Sequence, residues 1–572
     1  MKRGIRQVPA LWRATRLARR WYHARRAAYP DWQAVLERES GTWESARHAA
    51  QGGPRVLMAS SIGSYAHAVT LESALAAALT FRGAEVHALL CDAALTACAE
   101  CEASLYPNLD RFVATGPKPD LCRDCRWPAE RVYAQLGLRV HRYSDWLRPE
   151  DRDQARAVAA QVPLEEIPSY SCDGLAIGEH AHAGALRFFA TGSLENEPRG
   201  EAVLRRYLES ALLTATVTRR LCREVGFTSA VFTHGIYVPW GLVGEAARRE
   251  GVRVSTWNVA YRKRRFIFSH DDTYHHTLMT EPREHWEQLE LTPAQERELM
   301  QYLASRREGL FDWIVFHRPR RDDPKKLAAA LGLDTAKPTI GLLTNVSWDA
   351  QLHYPANAFP NMLEWLVCTC EYFARRPDLQ LLIRVHPAEI SGFPPSRQPI
   401  LAELAKRIPR LSPNVHVVGP ENPMSTYALM SLCNAAIIYG TKMGVELTSV
   451  GQPVVVAGEA WIRNKGLTFD ASSRDEYLRI LDSLPLAHGL DGNQLARARR
   501  YAYHFFFNRM ILLPFIEPKA GYPIYRLKLD RLQQLRPGQS AGLDTLCDGV
   551  LLARPFVLAD RASSPPGAAA TP

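Results

Sequence analysis

Short runs of apolar, often β-branched residues alternate with helical patterns along two stretches of the chain. Such runs, each bounded by polar residues or glycine, are typical of strands that are buried on both faces of a parallel sheet. They fall at residues 56–60, 86–91, 230–232 and 252–257 in the first stretch, and at 339–343, 381–385, 415–418, 435–438 and 453–457 in the second. The alternation predicts an α/β protein with two Rossmann-like domains that face each other across a cleft.

The boundaries of these domains follow from composition. A chain of 572 residues is too long for a single core, and the proline- and charge-rich segment 319–324 is the candidate linker. We expect a basic amino-terminal arm, an amino-terminal acceptor domain, a carboxyl-terminal nucleotide-sugar domain and a terminal segment, at residues 1–53, 54–320, 325–512 and 513–572. From Ala562 onward the composition predicts disorder.

The positive charge of the chain is concentrated at its amino terminus. The formal net charge is +10, but residues 1–26 alone contain nine Lys and Arg and no acid, which leaves about +1 for the rest. A nearly neutral body argues against a nucleic-acid partner. Because Trp12 and Trp21 lie among the arginines, the arm is predicted to be either an anchor on an anionic membrane surface or a solvated helix whose tryptophans pack on the body. An organellar transit peptide would have more serine.

The remaining composition indicates a cytoplasmic globular protein. Hydrophobic residues make up 47% of the chain and charged residues 23%, which is ordinary for such proteins. No apolar run approaches the roughly 18 residues of a membrane span, and the first residues lack the apolar core of a signal peptide. Eleven cysteines, an odd number, suit a reducing compartment. We expect a cytoplasmic protein, peripheral on the inner face of the plasma membrane if the arm is an anchor.

Four of these cysteines form two C-x-x-C pairs, Cys98 with Cys101 and Cys122 with Cys125. Two such pairs can complete a closed tetrahedral thiolate site, and the proline- and glycine-rich segment between them is typical of a loop that needs a metal. The spacing predicts structural zinc in an insertion at residues 91–128. An iron–sulfur cluster and simple reduced thiols remain alternatives. A closed site leaves no position for substrate, so no catalytic metal is expected.

The candidate ligand-binding residues of the second domain follow two of its predicted strands. The carboxyl ends of parallel strands form the edge at which ligands bind in open α/β sheets. The first group consists of Arg384, His386 and Pro387, and the second of Gly440, Thr441, Lys442, Gly444 and Glu446.

These two groups have the chemistry of a nucleotide-sugar site. A small-residue loop that leads into a helix offers backbone N–H groups and the helix dipole to a phosphate. Glu446, one turn into that helix, is expected to accept hydrogen bonds from ribose, and His386 to bind phosphate. Arg384 and Lys442 are predicted either to neutralise a diphosphate or to form solvated salt bridges.

In the first domain, His67 and His234 follow predicted strands and are expected to face the cleft. Either one is a candidate general base if the reaction inverts, with an ordinary loop or core histidine as the alternative. The segment 270–276 has two aspartates and three histidines, as in a metal cluster. However, its strand-like flank predicts side chains on opposite faces, so no metal is assigned to it.

The motifs of the second domain resemble those of bacterial capsular-polysaccharide synthesis proteins. The similar segments are 384–389, 425–430, 439–446 and 451–456. These proteins include retaining transferases of 3-deoxy-manno-octulosonate (Kdo) and are more distantly similar to bacterial sialyltransferases. The resemblance implies a glycosyltransferase of the GT-B type, in which His386 and Pro387 would bind the cytidylyl phosphate of the donor.

This chain departs from the family pattern at one place. Where those proteins have a Ser/Thr pair that binds phosphate, this chain has Gly440 and Thr441, with a single hydroxyl. The donor is therefore left open among CMP-, UDP- and GDP-linked sugars. The expected function is metal-independent glycosyl transfer to a capsular, lipopolysaccharide or lipid-linked glycan. The alternatives are a nucleotide-sugar 2-epimerase or hydrolase of the same fold and a non-catalytic subunit of polysaccharide assembly.

Overall fold

The computed structural model describes residues 14–15, 18, 21–22, 29–106, 108–306, 311–313, 323–350, 357–392, 394–486 and 489–558. Most of the predicted arm at residues 1–26, most of the linker and the predicted disordered tail fall outside these residues. None of the described helices is long and apolar enough to cross a membrane.

The described residues contain two large sheets and one small hairpin. The strands are β1 Arg55–Ser61, β2 Glu85–Leu90, β3 Arg139–Arg142, β4 Ser229–Thr233, β5 Arg253–Val259, β6 Arg265–His270, β7 Thr339–Leu343, β8 Gln380–Arg384, β9 Val415–Val418, β10 Ala435–Ile438, β11 Val454–Val456, β12 Phe469–Asp470, β13 Ile511–Leu512, β14 Ile516–Pro518 and β15 Tyr525–Leu527.

The α-helices from Trp32 onward cover these sheets. They are α1 Trp32–Leu36, α2 Ser40–Ala49, α3 Ala66–Thr80, α4 Leu109–Thr115, α5 Pro119–Gln135, α6 Pro149–Gln161, α7 Ile177–Phe189, α8 Gly200–Val225, α9 Trp240–Arg249, α10 Tyr274–Met279, α11 Pro293–Arg306, α12 Pro324–Leu331, α13 Met362–Ala374, α14 Ala388–Ser391, α15 Ile400–Arg407, α16 Thr426–Met430, α17 Met443–Ser449, α18 Arg474–Asp482, α19 Gly492–Tyr503 and α20 Ala541–Leu552.

The first sheet has the strand order β13-β6-β5-β4-β1-β2-β3. Strands β1 to β5 are parallel, while β6 and β13 run antiparallel to their neighbours. The order reverses between β1 and β4, so the loops after these two strands diverge and leave a crevice at the carboxyl edge. Helix α3, which follows β1, is buried along its whole length except at His67.

The second sheet has the order β12-β11-β10-β7-β8-β9 and is parallel throughout. Its reversal lies between β7 and β10, and this is the strand order of doubly wound dinucleotide-binding domains. All five strands predicted for this domain are present within one or two residues of their expected bounds. The predicted parallel α/β architecture is therefore confirmed.

The sequence predicts that residues 513–572 form a separate terminal segment, but their described part belongs to the first domain. Just before this segment, strand β13 pairs with β6, and within it helix α20 packs against α3 and β4. Leu543, Leu546 and Val550 recur at helical spacing and are buried in the core of the first sheet, together with Phe556. The chain therefore returns from the second domain and completes the core of the first.

The predicted cysteine-bearing loop also differs, because most of it is helical. The Asn108 side chain accepts a hydrogen bond from the backbone of Asp110 and caps α4, and Pro119 occupies the first turn of α5. Both are helix-start signals. Cys122 and Cys125 thus lie on a helix of 17 residues.

The thiols of the two pairs have different surroundings in this structure. The sulfurs of Cys98 and Cys101 are 4.0 Å apart, and Cys125 Sγ accepts hydrogen bonds from Ser64. Among the described residues, no group of three or more His, Cys, Asp or Glu side chains is arranged to hold a metal ion. Structural zinc remains a prediction from spacing, and elemental analysis of anaerobically purified protein tests it.

Candidate functional site

A cavity of about 1460 Å³ is lined by loops at the carboxyl edges of both sheets. It contains most of the residues that the sequence singled out: His67, His234, Arg384, His386, Pro387, Gly440, Thr441 and Lys442. Gly444 and Glu446 do not line it. The strand order reverses between β1 and β4 in the first sheet and between β7 and β10 in the second. The cavity lies at the carboxyl edges of both sheets, where ligands bind in such folds.

His386 presents one ring nitrogen to its own backbone turn. The Ala388 N–H donates to His386 Nδ1 at 3.1 Å, and the His386 N–H donates to Thr344 Oγ1 at 3.0 Å. Burial, with Lys442 and Arg384 nearby, lowers the pKa of His386 to about 4. The ring is therefore neutral near pH 7. Because Nδ1 accepts a hydrogen bond, its proton is on Nε2, which makes this nitrogen a donor suited to an anionic oxygen.

Glu446 lies one turn behind the cavity wall and takes part in a buried ion network. Its Oε1 accepts from Lys442 Nζ at 2.5 Å, and its Oε2 accepts from Arg306 Nε at 3.0 Å and from the Tyr427 hydroxyl at 2.7 Å. Arg306 also pairs with Asp312. Burial alone would raise the pKa of Glu446, but Arg306 and Lys442 lower it to about 2.

This geometry differs from the ribose-binding role predicted for Glu446. Both carboxylate oxygens contact other side chains, and the residue is only 4% exposed. The contact with Lys442, which does line the cavity, instead holds that cation in place. Arg306 comes from α11, far away in sequence, so no motif around Glu446 could have indicated it.

The loop before α17 also differs in detail from a phosphate-binding turn. A Cβ at Gly444 would lie 2.7 Å from Ile462 and 2.8 Å from Ile438, so this glycine permits α17 to pack closely on β10. Helix α17 has only seven residues, and its dipole is correspondingly short. The cavity-facing groups of the loop are those of Gly440, Thr441 and Lys442.

The guanidinium of Arg384 is held by two backbone carbonyl groups. Its guanidinium donates to the carbonyl oxygens of Gly419 at 2.5 Å and Asn422 at 3.1 Å. Burial lowers its pKa to about 10, so it stays charged near neutrality. Arg306 and Lys442 pair with Asp312 and Glu446, and Glu421 lies close enough to Arg384 to oppose the lowering of its pKa.

His67 and His234, which the sequence placed at the cleft, line the same cavity. Burial lowers the pKa of His67 to about 4, and burial together with Arg187 lowers that of His234 to about 3. The buried His234 Nδ1 has no hydrogen-bond partner among the described residues, so no second group orients the ring as a base. Both imidazoles are neutral near pH 7 but are weak bases, because a general base works best when its pKa lies near the operating pH.

Asp349 is a cavity residue that the sequence did not indicate. It follows β7 in the second domain, and its Oδ1 accepts a hydrogen bond from the hydroxyl of Tyr237, which follows β4 in the first, at 3.0 Å. Its side chain is exposed to the cavity, and surrounding protein raises the pKa of its carboxyl. A carboxylate with a raised pKa that is exposed to the cavity is a candidate general base.

Two loops bridge the mouth of the cavity. Gln398 Oε1 accepts hydrogen bonds from the Gly192 N–H and the Thr191 hydroxyl, each at 2.9 Å. Beside them, the Arg397 N–H donates to the Ala190 carbonyl at 2.9 Å. The two domains are therefore in direct contact here as well as at Tyr237 and Asp349.

The chain matches no known protein-family model and no curated protein sequence. Among solved structures it is similar to KpsC of Thermosulfurimonas dismutans, a beta Kdo 2,4 transferase, with 14% identity over 49% of this chain and 81% of that chain and a TM-score of 0.33. A glycosyltransferase from Rickettsia africae has 9% identity over 80% of this chain and 94% of that chain, with a TM-score of 0.27.

A UDP-GlcNAc 2-epimerase from Neisseria meningitidis, bound to UDP-GlcNAc, has 9% identity over 78% of this chain and 97% of that chain, with a TM-score of 0.23. The solved structures similar to this chain thus include Kdo transferases, at low sequence identity. Nothing in the comparisons supports the more distant resemblance to sialyltransferases. The chemical assignment below rests on the residues that line the cavity.

Proposed function

We propose that this protein is a glycosyltransferase that moves a sugar from a nucleotide sugar to a glycan acceptor. The observation that carries the proposal is that one cavity is lined by two chemically different groups of side chains. His386, Thr441 and Lys442 provide hydrogen-bond donors next to the charged guanidinium of Arg384. Asp349, which contacts Tyr237 of the first domain, provides a carboxyl with a raised pKa. Phosphate suits the first group, and a hydroxyl that must lose a proton suits the second.

The volume of the cavity favours two substrates over one. Sites for single small molecules typically measure about 300–1,000 Å³, and this cavity has about 1460 Å³. A nucleotide-sugar epimerase or hydrolase needs room for one organic substrate only. A transferase must also admit the end of an acceptor, for which the additional space is suited.

In an inverting version of the reaction, Asp349 accepts the proton of the acceptor hydroxyl as its oxygen bonds to the sugar. The bond between the sugar and the nucleotide phosphate breaks in the same step. The His386 Nε2–H and the Lys442 ammonium stabilise the negative charge that develops on the departing phosphate. These side chains supply the stabilisation that the chemistry needs, so the proposal assigns no role to a metal.

A binding screen followed by a turnover assay tests the proposal. CMP, UDP and GDP are titrated by calorimetry, and the nucleotide sugars of the best binder are incubated with and without a capsular or lipopolysaccharide glycan. We expect binding of one nucleotide and release of that nucleotide only when acceptor is present. Turnover without acceptor would identify an epimerase or hydrolase, and no binding of any nucleotide would favour the assembly-subunit alternative.

A further inference from the structure

The two loops that carry the proposed phosphate ligands come from the strands on either side of β7. Strand β7 lies between β8 and β10 in the second sheet. His386 follows β8, and residues 440–442 follow β10. At the carboxyl edge, Leu343 of β7 pairs with Arg384 on one side and with Ile438 on the other. The residues that come directly after β7 therefore lie between the two loops.

Thr344, the first residue after β7, holds the loop that follows β8. Its N–H donates to the Arg384 carbonyl at 3.3 Å, and its Oγ1 accepts a hydrogen bond from the His386 N–H at 3.0 Å. Thr344 is buried and lines the cavity. A side-chain contact thus extends the pairing of β7 with β8 beyond the sheet, and it fixes the backbone from which the His386 ring projects.

Asn345, the next residue, holds the loop that follows β10. Its Nδ2 donates to the Gly440 carbonyl at 2.6 Å. Its own N–H contacts Met362 Sδ at 3.2 Å, at the first residue of α13. Because Thr344 and Asn345 are consecutive, their Cα atoms are about 3.8 Å apart. The two loops are therefore attached to one short stretch of backbone.

The separation of the loops matters because both of them supply donors. His386 offers its Nε2–H from the first loop, and the Thr441 hydroxyl and the Lys442 ammonium come from the second. Such hydrogen bonds form at about 2.7–3.2 Å, so these groups can contact the same phosphate only if the loops keep one separation. A displacement of about 1 Å is enough to impair a site of this kind.

We infer that Thr344 and Asn345 are positioning residues of the phosphate site, which hold the two loops at the separation that the phosphate requires. The inference rests on the proposed function. Thr344 acts through His386, and Asn345 acts through the carbonyl of Gly440. Loss of either contact therefore weakens binding of the phosphate and leaves recognition of the nucleoside unchanged.

Variants of similar shape test this division between phosphate and nucleoside. Thr344→Val and Asn345→Leu each remove one hydrogen bond without adding charge. With the nucleotide that binds best among CMP, UDP and GDP, we expect each variant to lose about five- to tenfold in affinity by calorimetry. The nucleoside of the same base, titrated by ligand-observed NMR, should bind the variants as it binds the unaltered protein. Thr344→Ser keeps the hydroxyl and should retain the affinity for the nucleotide.

A double-mutant cycle shows whether Thr344 acts through the His386 ring. The backbone N–H that Thr344 contacts is still present in His386→Ala, but the ring that it positions is not. In that background, Thr344→Val should change nucleotide affinity by less than about twofold. An equal loss in both backgrounds, or an equal loss for nucleotide and nucleoside, would show a structural role only and would overturn the inference.

Two matched substitutions in the same domain are controls. The Thr369 hydroxyl is buried and contacts the Tyr477 hydroxyl at 2.7 Å, and Asn434 contacts Leu486 before the start of β10. Neither residue lines the cavity, so Thr369→Val and Asn434→Leu should lower stability without changing nucleotide affinity.

The outcomes separate this inference from the proposed function. Asn345 is partly exposed, so Asn345→Leu keeps the test decisive if Thr344→Val does not fold. Unchanged nucleotide affinity in the folded variants would overturn the inference alone. Absence of nucleotide binding in the unaltered protein would instead contradict the proposed function.

Discussion

The hydroxyl of Tyr237 donates a hydrogen bond to Asp349 Oδ1 at 3.0 Å and joins the two domains beside the cavity. The same hydroxyl accepts a hydrogen bond from the Ala350 N–H at 2.9 Å. Burial raises the pKa of Asp349, and the hydrogen bond from Tyr237 partly opposes that rise by favouring the charged carboxylate. The basicity of a residue in the second domain is therefore adjusted by a residue of the first.

Asp349→Asn should abolish sugar transfer while leaving nucleotide affinity unchanged. The amide has nearly the shape of the carboxyl but cannot accept the acceptor proton, and general-base catalysis contributes about 100- to 10,000-fold. Initial rates with saturating acceptor and calorimetry with the free nucleotide measure the two effects separately. Glu195, which also lines the cavity, provides the control as Glu195→Gln. If Asp349→Asn kept more than about a tenth of the wild-type rate, another residue would be the base.

The pH dependence of transfer should follow the ionisation of Asp349. A base must be deprotonated to act, so kcat/KM should fall as the pH decreases through its raised pKa. Tyr237→Phe removes the hydrogen bond that favours the carboxylate, so the pKa should rise further and the acidic limb should move to higher pH. A limb that stayed at the same pH in Tyr237→Phe would show that Asp349 does not control it.

The strands were predictable because their signal is local. Each buried parallel strand appears in the sequence as an uninterrupted apolar run, and the polar residues after it mark the carboxyl edge. Strand β3 (Arg139–Arg142) was missed because it is an edge strand that begins and ends with arginine. The start of α5 was missed because the spacing of its cysteines suggested a metal loop.

The candidate site was only partly predictable because several of its contacts join residues far apart in the chain. Asp349 and Tyr237 are 112 positions apart, and Glu446 and Arg306 are 140 positions apart. A single sequence shows that Glu446 follows a glycine loop, but not that a distant arginine occupies its carboxylate. Motifs therefore identified the edge of the sheet correctly but did not identify which side chains are free to meet a ligand.

Glu446→Gln should destabilise the protein rather than alter ribose recognition. The substitution removes the carboxylate that contacts Lys442 and leaves Asp312 as the acidic partner of Arg306, and breaking a buried ion pair costs about 3–5 kcal/mol. Discrimination between a nucleotide and its 2′-deoxy form should not change, because both oxygens of Glu446 contact protein groups. Denaturant unfolding and calorimetry with the two nucleotides measure these quantities. A selective loss of the preference for ribose would instead support direct contact.

The matched control for this substitution is Glu201→Gln. Glu201 and Arg205 form a surface pair with the same four-residue spacing as Lys442 and Glu446, and such pairs contribute about 0.3–0.5 kcal/mol. The effect of Glu446 should also depend on pH. Its pKa falls from 4.5 to about 2 on folding, so its contribution to stability is complete above pH 4.5 and is lost as the pH falls toward 2.

Gln398→Ala should loosen the contact between the two domains. Its side chain accepts both hydrogen bonds that link this loop to Thr191 and Gly192, and each bond contributes about 1 kcal/mol. The amide of Gly192 should then exchange with solvent roughly tenfold faster, which hydrogen-exchange mass spectrometry of the peptide around it measures. Gln33→Ala, which removes an exposed contact with Glu37, is the control. Unchanged exchange at Gly192 would mean that other contacts hold the domains together.

His386→Ala should weaken nucleotide binding without a change in protonation. A hydrogen bond to a charged group contributes about 1.5–3 kcal/mol, so its loss should reduce the affinity about ten- to a hundredfold.

Because the pKa of His386 is lowered to about 4, the ring should remain neutral between pH 6 and 8 and should bind phosphate through its Nε2–H. Calorimetry in two buffers of different ionisation enthalpy gives the number of protons taken up on binding, and that number should be the same in the wild type and in His386→Ala. His416→Ala is the control. His416 lies on the edge strand β9, where it contacts the Leu331 carbonyl, and it does not line the cavity. Proton uptake that disappears with His386 would show that the ring binds phosphate as a cation, and unchanged affinity in His386→Ala would remove it from the phosphate site.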